Sequence, residues 1–148
     1  VVDCGWARVL IFGMGRIGEG AYDEIVKERG HGTVGVDRDP DTVEEQRRAG
    51  RSVVRGDALD FDFWERFQFH PEVELVFAAM NSHVANLECI RRVRQFLPDA
   101  HIAAIARHPE QVAELREAGV DVARNLYEEA GQALAADAVE VIWERNDP

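Results

Sequence analysis

A doubly wound α/β fold, with six parallel strands in one sheet and helices on both faces, is the architecture this sequence predicts. Three observations predict it. Short apolar runs alternate with amphipathic stretches along the chain, the pattern of strands and crossover helices. Several of the runs end in glycine- or acid-bearing turns, and the carboxyl edge of an open parallel sheet is where ligands sit. The first run, Val9 to Phe12, passes directly into Gly13-Met14-Gly15-Arg16-Ile17-Gly18. A length of 148 residues supports one domain, 1–148, with a substantial core and is too short for two ordinary ones.

The glycine spacing carries a mechanism. Gly13 permits a tight strand-to-helix turn, Gly15 lets a phosphate approach the backbone with no Cβ in the way, and Gly18 lets the helix pack close on its strand. Unpaired N–H groups at the helix start then face an anion. Such turns are common, so the weight falls on the residues downstream. A second run, Thr33 to Val36, ends in Asp37, where an acid accepts the hydroxyls of an adenosine ribose. Strand, glycines, helix, strand and acid in register predict a Rossmann-type mononucleotide or dinucleotide site. The competing explanation is a structural βαβ turn whose Asp only caps the next helix.

The later elements keep the same alternation. Val1 to Ala7 is an irregular lead-in, with Cys4 and Trp6 expected against the sheet edge. The first helix starts at Gly15, carries Ile17, Ala21, Tyr22, Ile25 and Val26 as its sheet-facing stripe, and stops at Gly30. Asp39 is an N-cap, Pro40 suits the first helical position, Glu44 and Arg48 pair one turn apart, and Gly50 ends the second helix. Ser52 to Arg55 is the third strand, running into Gly56-Asp57-Ala58-Leu59-Asp60. Phe61, Phe63, Trp64, Phe67 and Phe69 crowd a short helix; their neighbours Asp60, Asp62 and Glu65 are acidic, so packing is expected rather than contact with single-stranded nucleic acid. His70, before Pro71, reads as a loop residue.

Leu75 to Ala78 is a fourth strand, apolar on both faces as a central parallel strand requires. Asn81 or Ser82 caps a helix carrying Val84, Leu87, Ile90 and Val93, which Pro98 closes. Ile102 to Ile105 is the fifth strand, ending at Arg107, and a helix with Val112 and Leu115 stops at Gly119. Val120 to Ala123 is the sixth. Right-handed crossovers then give the order 3-2-1-4-5-6. The last helix, 126–143, has one apolar stripe of Ala130, Leu134, Ala138, Val141 and Ile142, with Leu126, Ala133 and Trp143 on a second side. Apolar on more than one side, it is expected to need a second cover, most simply a symmetric partner.

Composition narrows the function classes. A net charge of -11, from 17 basic and 28 acidic residues, repels nucleic-acid backbones and anionic lipid. Cys4 and Cys89 have neither disulfide nor zinc spacing, and the five histidines show no metal-ligand pattern. With no run of eighteen apolar residues and no leader, the chain reads as soluble and cytoplasmic, and its first residue, Val1, suggests a piece of something longer. Ser82 and His83 are adjacent, but neighbouring helical residues point about 100° apart and do not form a nucleophile–base pair. No acid–base pair is left over for a substrate. What converges on the carboxyl edge is a set of nucleotide contacts: the loop Gly13 to Gly18 including Met14 and Ile17, Arg16 and Arg107 for phosphate, Asp37 for ribose, and Asp57 with the Ala58 backbone for an adenine edge. Asn81 and Arg38 complete that set. The charge of Asp37 disfavours a 2′-phosphate, and so NADP, although Arg38 is the next residue.

These residues resemble the RCK (TrkA-N type) nucleotide-binding domains that regulate potassium channels and transporters, most closely those of Kef-type cation/proton antiporters. The likeness rests on Val9 to Gly18, Val36-Asp37, Gly56-Asp57-Ala58, Ile105-Ala106-Arg107 and Glu114 to Val120, within a span of 8–139. It implies a cytoplasmic sensor at the inner face of a membrane rather than an enzyme. Such a sensor binds AMP, ATP/ADP or NAD(H), with AMP favoured here and NAD(H) next. It dimerises through later helices and reports ligand state to a transporter or channel on the same or a separate polypeptide. By the family pattern Gly13, Gly15, Arg16, Gly18 and Arg107 meet phosphate, Asp37 ribose, and Asp57 and Ala58 adenine. Kef-type members also respond to glutathione adducts; the segment Asn125 to Glu129 differs from the Arg-Glu-Thr of the best-known ones. The alternative is a nicotinamide-dependent oxidoreductase fragment without its substrate domain.

Overall fold

The computed structural model describes residues 6–66 and 72–145. Its strands are β1 (Val9–Phe12), β2 (Thr33–Asp37), β3 (Val53–Arg55), β4 (Leu75–Ala78), β5 (His101–Ala106) and β6 (Val122–Asn125). The helices are α1 (Arg16–Arg29), α2 (Pro40–Arg48), α3 (Phe61–Glu65), α4 (His83–Phe96), α5 (Pro109–Glu117) and α6 (Leu126–Val139), the last continued by a π-helical turn, Glu140–Glu144. All neighbouring strands pair in parallel in the order β3-β2-β1-β4-β5-β6, as expected. The reversal of direction between β1 and β4 opens a crevice at the carboxyl edge.

Period-two side-chain alternation divides the core between the sheet's faces. Leu10 and Phe12 of β1 join Val34, Val36, Val76 and Ile102 under α3, α4 and α5, whose contributions include Phe63, Trp64, Cys89, Ile90, Val93 and Leu115. Val9 and Ile11 point the other way and meet Tyr22 of α1 and Val43 of α2 in a smaller cluster. Phe12 and Trp64 stack at 5.1 Å, and the Trp64 indole donates to the Ala58 carbonyl at 2.7 Å, which ties α3 to the turn after β3. Phe63 and Trp64 are thus core residues, whereas Phe61 is exposed. Phe67, Phe69, His70 and Cys4 lie outside the described residues.

Four sequence expectations change, and one alternative, the cap of α4, is resolved. Trp6 is exposed rather than packed on the sheet edge. Val26 sits on the rim of α1's buried stripe. Val84 is 74% exposed: Ile90 and Val93 of the predicted stripe are buried and Leu87 packs on the core, but Asn86 and Cys89 complete the buried face in place of Val84. Ser82, not Asn81, caps α4, its hydroxyl accepting from the Ala85 N–H. The sixth strand starts at Val122 because Val120 still belongs to the end of α5: the Gly119 N–H bonds the Arg116 carbonyl and the Val120 N–H that of Leu115, a Schellman ending with Val120 packed on the core.

α6 buries no residue, and Tyr127, Leu134, Val141, Ile142 and Trp143 are all exposed. On the face carrying α1 and α2, Leu75, Phe77 and Ile105 remain partly exposed and Val122 is open, so β4 to β6 are thinly covered there.

Candidate functional site

β1 ends in a loop held on all sides. Gly13 has φ +94, and a Cβ there would stand 2.7 Å from the Ala79 carbonyl oxygen. A Cβ on Gly18 would stand 1.8 Å from the Gly13 carbonyl oxygen, so strand and helix approach as the glycine spacing requires. Met14 is fully buried against Gly35, and its N–H donates at 2.9 Å to Oδ2 of Asp37. The other oxygen of Asp37 accepts from the Asp39 N–H, also at 2.9 Å. The carboxylate therefore joins the tip of β2 to the glycine loop, and each oxygen keeps acceptor capacity beyond the bond it holds.

Gly15 differs from its neighbours. It is the N-cap of α1, with φ -77 and ψ -158, a conformation open to any residue, and no atom lies within 4 Å of where its Cβ would be. No side chain among the described residues caps this end. The first intrahelical bond runs from the Glu19 N–H to the Gly15 carbonyl, which leaves the N–H groups of Arg16, Ile17 and Gly18 without an intrahelical acceptor. A 14-residue helix thus presents its positive end to open space.

That space is a cleft of about 860 Å³. It gathers Gly13, Gly15, Arg16, Ile17, Asp37, Arg38, Asp57, Ala58, Asn81 and Arg107 along one wall or another. Met14 and Gly18 stand behind it as supports. Three arginines and three aspartates (Asp37, Asp39, Asp57) line it, so the cleft is balanced in charge on a chain of net charge -11. Arg16 and Arg38 are exposed and have no side-chain partner among the described residues. Arg107 spans the β4–β5 side, donating to the Asn81 carbonyl at 3.2 Å and to Asn81 Oδ1 at 3.1 Å. The Asn81 side chain thus orients a guanidinium instead of capping a helix.

On the β3 side, Asp57 folds back so that Oδ1 accepts from the Leu59 N–H at 2.9 Å. The Ala58 N–H has no acceptor among the described residues and lies beside a carboxylate, a donor–acceptor pair of the kind an adenine edge matches. The far wall escaped sequence reasoning: Val84 and Ala85 of α4 and Leu126 and Tyr127 of α6 also line the cleft. Asn125, 6% exposed, caps α6 through Oδ1 to the Tyr127 and Glu128 N–H groups and so holds Tyr127 at the cleft's mouth. The start of α6 at Leu126 is as the sequence predicts, with an Asn just before it as the cap.

Ser82, His83 and Cys89 are engaged in the fold. His83 faces Glu114 at 2.9 Å on α5, and the Ser82 hydroxyl is committed to its cap. Burial pushes the Cys89 thiol far up from its usual range, the state of a structural cysteine. Among the described residues no group of acids, histidines or cysteines could hold a metal ion, and no helix is long and apolar enough to cross a membrane.

The TrkA-N domain model matches residues 9–126, which covers the glycine loop, every candidate contact and the first residue of α6. The chain belongs to the TrkA-N family. This TrkA-N domain is 34% identical over 119 residues, or 80% of its length, to the glutathione-regulated potassium-efflux system protein KefC of Cronobacter sakazakii, and 32% identical over 120 residues to that of Escherichia coli. It spans about a fifth of the length of these relatives, 19% in each case. Among solved structures the fold matches the TrkA-N domain of the inner membrane protein ybaL from Escherichia coli, with a TM-score of 0.75 at 20% identity over 92% of this chain and 98% of that one. It also matches Shewanella denitrificans Kef CTD in AMP-bound form, with a TM-score of 0.71 at 20% identity over 91% and 80% of the two chains. The GsuK channel bound to NAD matches with a TM-score of 0.73 at 23% identity, over 90% of this chain and 24% of that one.

Proposed function

We propose that this TrkA-N domain is a regulatory sensor that binds an adenine nucleotide in the cleft, AMP first and NAD(H) next, and controls a membrane potassium or cation efflux protein from its inner face. One observation carries the reading: Gly15 has ordinary dihedrals and open space where its Cβ would be, and it stands at a helix start whose N–H groups have no acceptor among the described residues. An anion at van der Waals distance from that backbone supplies the acceptor. In this reading phosphate lies on Gly13 and Gly15 with Arg16 and Arg107, Gly18 serving behind them by letting helix and strand approach, ribose lies on Asp37, and adenine on Asp57 and Ala58. Arg38, Ile17 and Asn81 border the ligand. Similarity to KefC, and to solved domains described as bound to AMP and NAD, supports the ligand class and the transport role.

In this reading the domain acts as a sensor and not a catalyst, which its similarity to the KefC potassium-efflux proteins and to the GsuK channel supports. It pairs with a second copy through α6: the helix exposes apolar side chains while the β4–β6 sheet face keeps Phe77, Ile105 and Val122 partly or wholly open. Mass spectrometry of nucleotide released by denaturing freshly purified protein, together with calorimetry with AMP, ADP, ATP and NADH, tests the ligand reading. Recovery of AMP or NAD(H) with matching heats is expected. No nucleotide and no heat would overturn it.

A further inference from the structure

We infer that Gln46 is a positioning residue for anion recognition, setting the direction in which the Gly15 N–H points. The destination of that N–H, a ligand phosphate, rests on the function proposed above; the aim itself does not. Gln46 is a polar residue on the buried face of α2, beside Val43 and only 7% exposed. Its Nε2 donates to the Met14 carbonyl at 3.2 Å, across 32 residues of chain, with Glu19 Oε2 at 3.5 Å as a second, looser acceptor.

The peptide plane makes that bond directional. In a trans peptide the carbonyl of one residue and the N–H of the next point to opposite sides, so drawing the Met14 carbonyl back toward α2 turns the Gly15 N–H the other way. Gly15 lines the cleft, and its N–H has no acceptor among the described residues. The preceding peptide is held too, since the Met14 N–H is bound to Asp37. Met14 is therefore gripped at N–H, carbonyl and side chain, and the free direction left to the loop is the N–H of the next residue.

The Gln46 amide cannot turn over. Its Oε1 accepts from Arg51 Nη1 at 2.9 Å, and guanidinium has no acceptor, so oxygen must face Arg51 and nitrogen must face Met14. Arg51 is in turn clamped by Asp23, at 2.9 and 2.8 Å, and by Glu19 at 3.1 Å. Local chain geometry brings the pair together. The Gly50 N–H bonds the Arg47 carbonyl and the Arg51 N–H bonds that of Gln46, a Schellman ending that sets the residue after the glycine against the last turn. That contact is usually apolar; here it is an arginine reading an amide.

The test uses Gln46→Met, which keeps length and removes the donor, and Arg51→Met, which frees the amide to rotate, each checked for a folded melting transition. In ligand-free protein, N–H residual dipolar couplings should move at Gly15 and Arg16 and stay put in β4 to β6. AMP affinity should fall about tenfold, the scale of losing one well-placed hydrogen bond, while adenosine, without phosphate, should bind unchanged. Unaltered couplings at Gly15 in both variants would overturn the inference whether or not nucleotide binds, as would equal weakening of adenosine and AMP. Shifted couplings in a protein that binds no nucleotide at all would uphold the positioning role and sink the proposed function instead.

Discussion

Alanine substitution of the three loop glycines should split stability from binding. At Gly13 an alanine must adopt φ +94, at about 1–2 kcal/mol, with its methyl 2.7 Å from the Ala79 carbonyl oxygen. Overpacking of that kind adds about 1–3 kcal/mol. Each kcal/mol moves the midpoint of a domain this size by about 2–4 °C, so Gly13→Ala should melt roughly 10 °C below the wild type. Gly18→Ala should melt at least as low, because its Cβ would meet backbone at 1.8 Å and no side chain can swing aside. Gly15→Ala loses a little N-cap preference and gains from a stiffer unfolded chain; these opposing effects are of similar size, which leaves stability within about 0.5 kcal/mol. Its methyl occupies the phosphate's approach, so AMP affinity should drop at least about tenfold, or 1.4 kcal/mol. Differential scanning fluorimetry and calorimetry on the same preparations read both. AMP binding to Gly15→Ala with wild-type affinity would refute the phosphate loop, and an unchanged midpoint for Gly18→Ala would refute the strand–helix contact.

Asp37→Ala should weaken adenosine-containing ligands by roughly 1.5–3 kcal/mol, the range for hydrogen bonds to a charged acceptor; unchanged calorimetric affinity would place the ribose elsewhere. Asp23 is held below the usual carboxylate range by its hydrogen bond from Arg51, and Asp121 by the Ile102 N–H. Both folded-state values are depressed, so their contribution is present above the unfolded value of about 3.9 and is lost as pH falls through the depressed ones. Melting scans from neutral to acid pH should fall on the acid side less steeply in the Asp23→Asn, Asp121→Asn double variant, and equal slopes would exclude both groups. Light scattering should find a dimer that Leu134→Glu with Ile142→Glu converts to a monomer; a monomeric wild type would remove α6 as an interface.

Strand order and the glycine loop were legible because their signals are local and periodic: an apolar run, a turn residue and a capping residue each act within a few positions. The same locality explains what was missed. Val84 carries an apolar side chain at helical spacing with Ile90 and Val93, which are buried, yet at the start of α4 the inward position is taken by Asn86, whose amide clasps the Met80 backbone at 3.0 and 3.1 Å. Hydropathy does not register an asparagine whose partners lie six residues back on a turn. Asn81 was readable as a cap or a contact, but its bonds to Arg107 depend on β4 and β5 being neighbours. Gln46 likewise gains its meaning from Met14, which no pattern inside α2 can reveal.

A sensor must convert occupancy into a change elsewhere, and a ligand shifts an equilibrium only by its difference in affinity for the two states. Most of the cleft cannot supply that difference. The glycine loop, Asp37 and the turn at Asp57 are tied to the sheet by backbone bonds and by packing that allows little room to respond. Leu126 and Tyr127 are otherwise placed: they line the cleft but belong to α6, which buries nothing against the body. On the proposed function, a nucleotide touching both walls would couple a rigid edge to the helix that the proposed pairing uses. A contact to Tyr127 worth about 1.4 kcal/mol in one arrangement alone would change the ratio of the two about tenfold. On these grounds slowed amide exchange on ligand addition should extend into the first turns of α6, and protection confined to the β1–α1 loop would leave the sensor without a route out of its site.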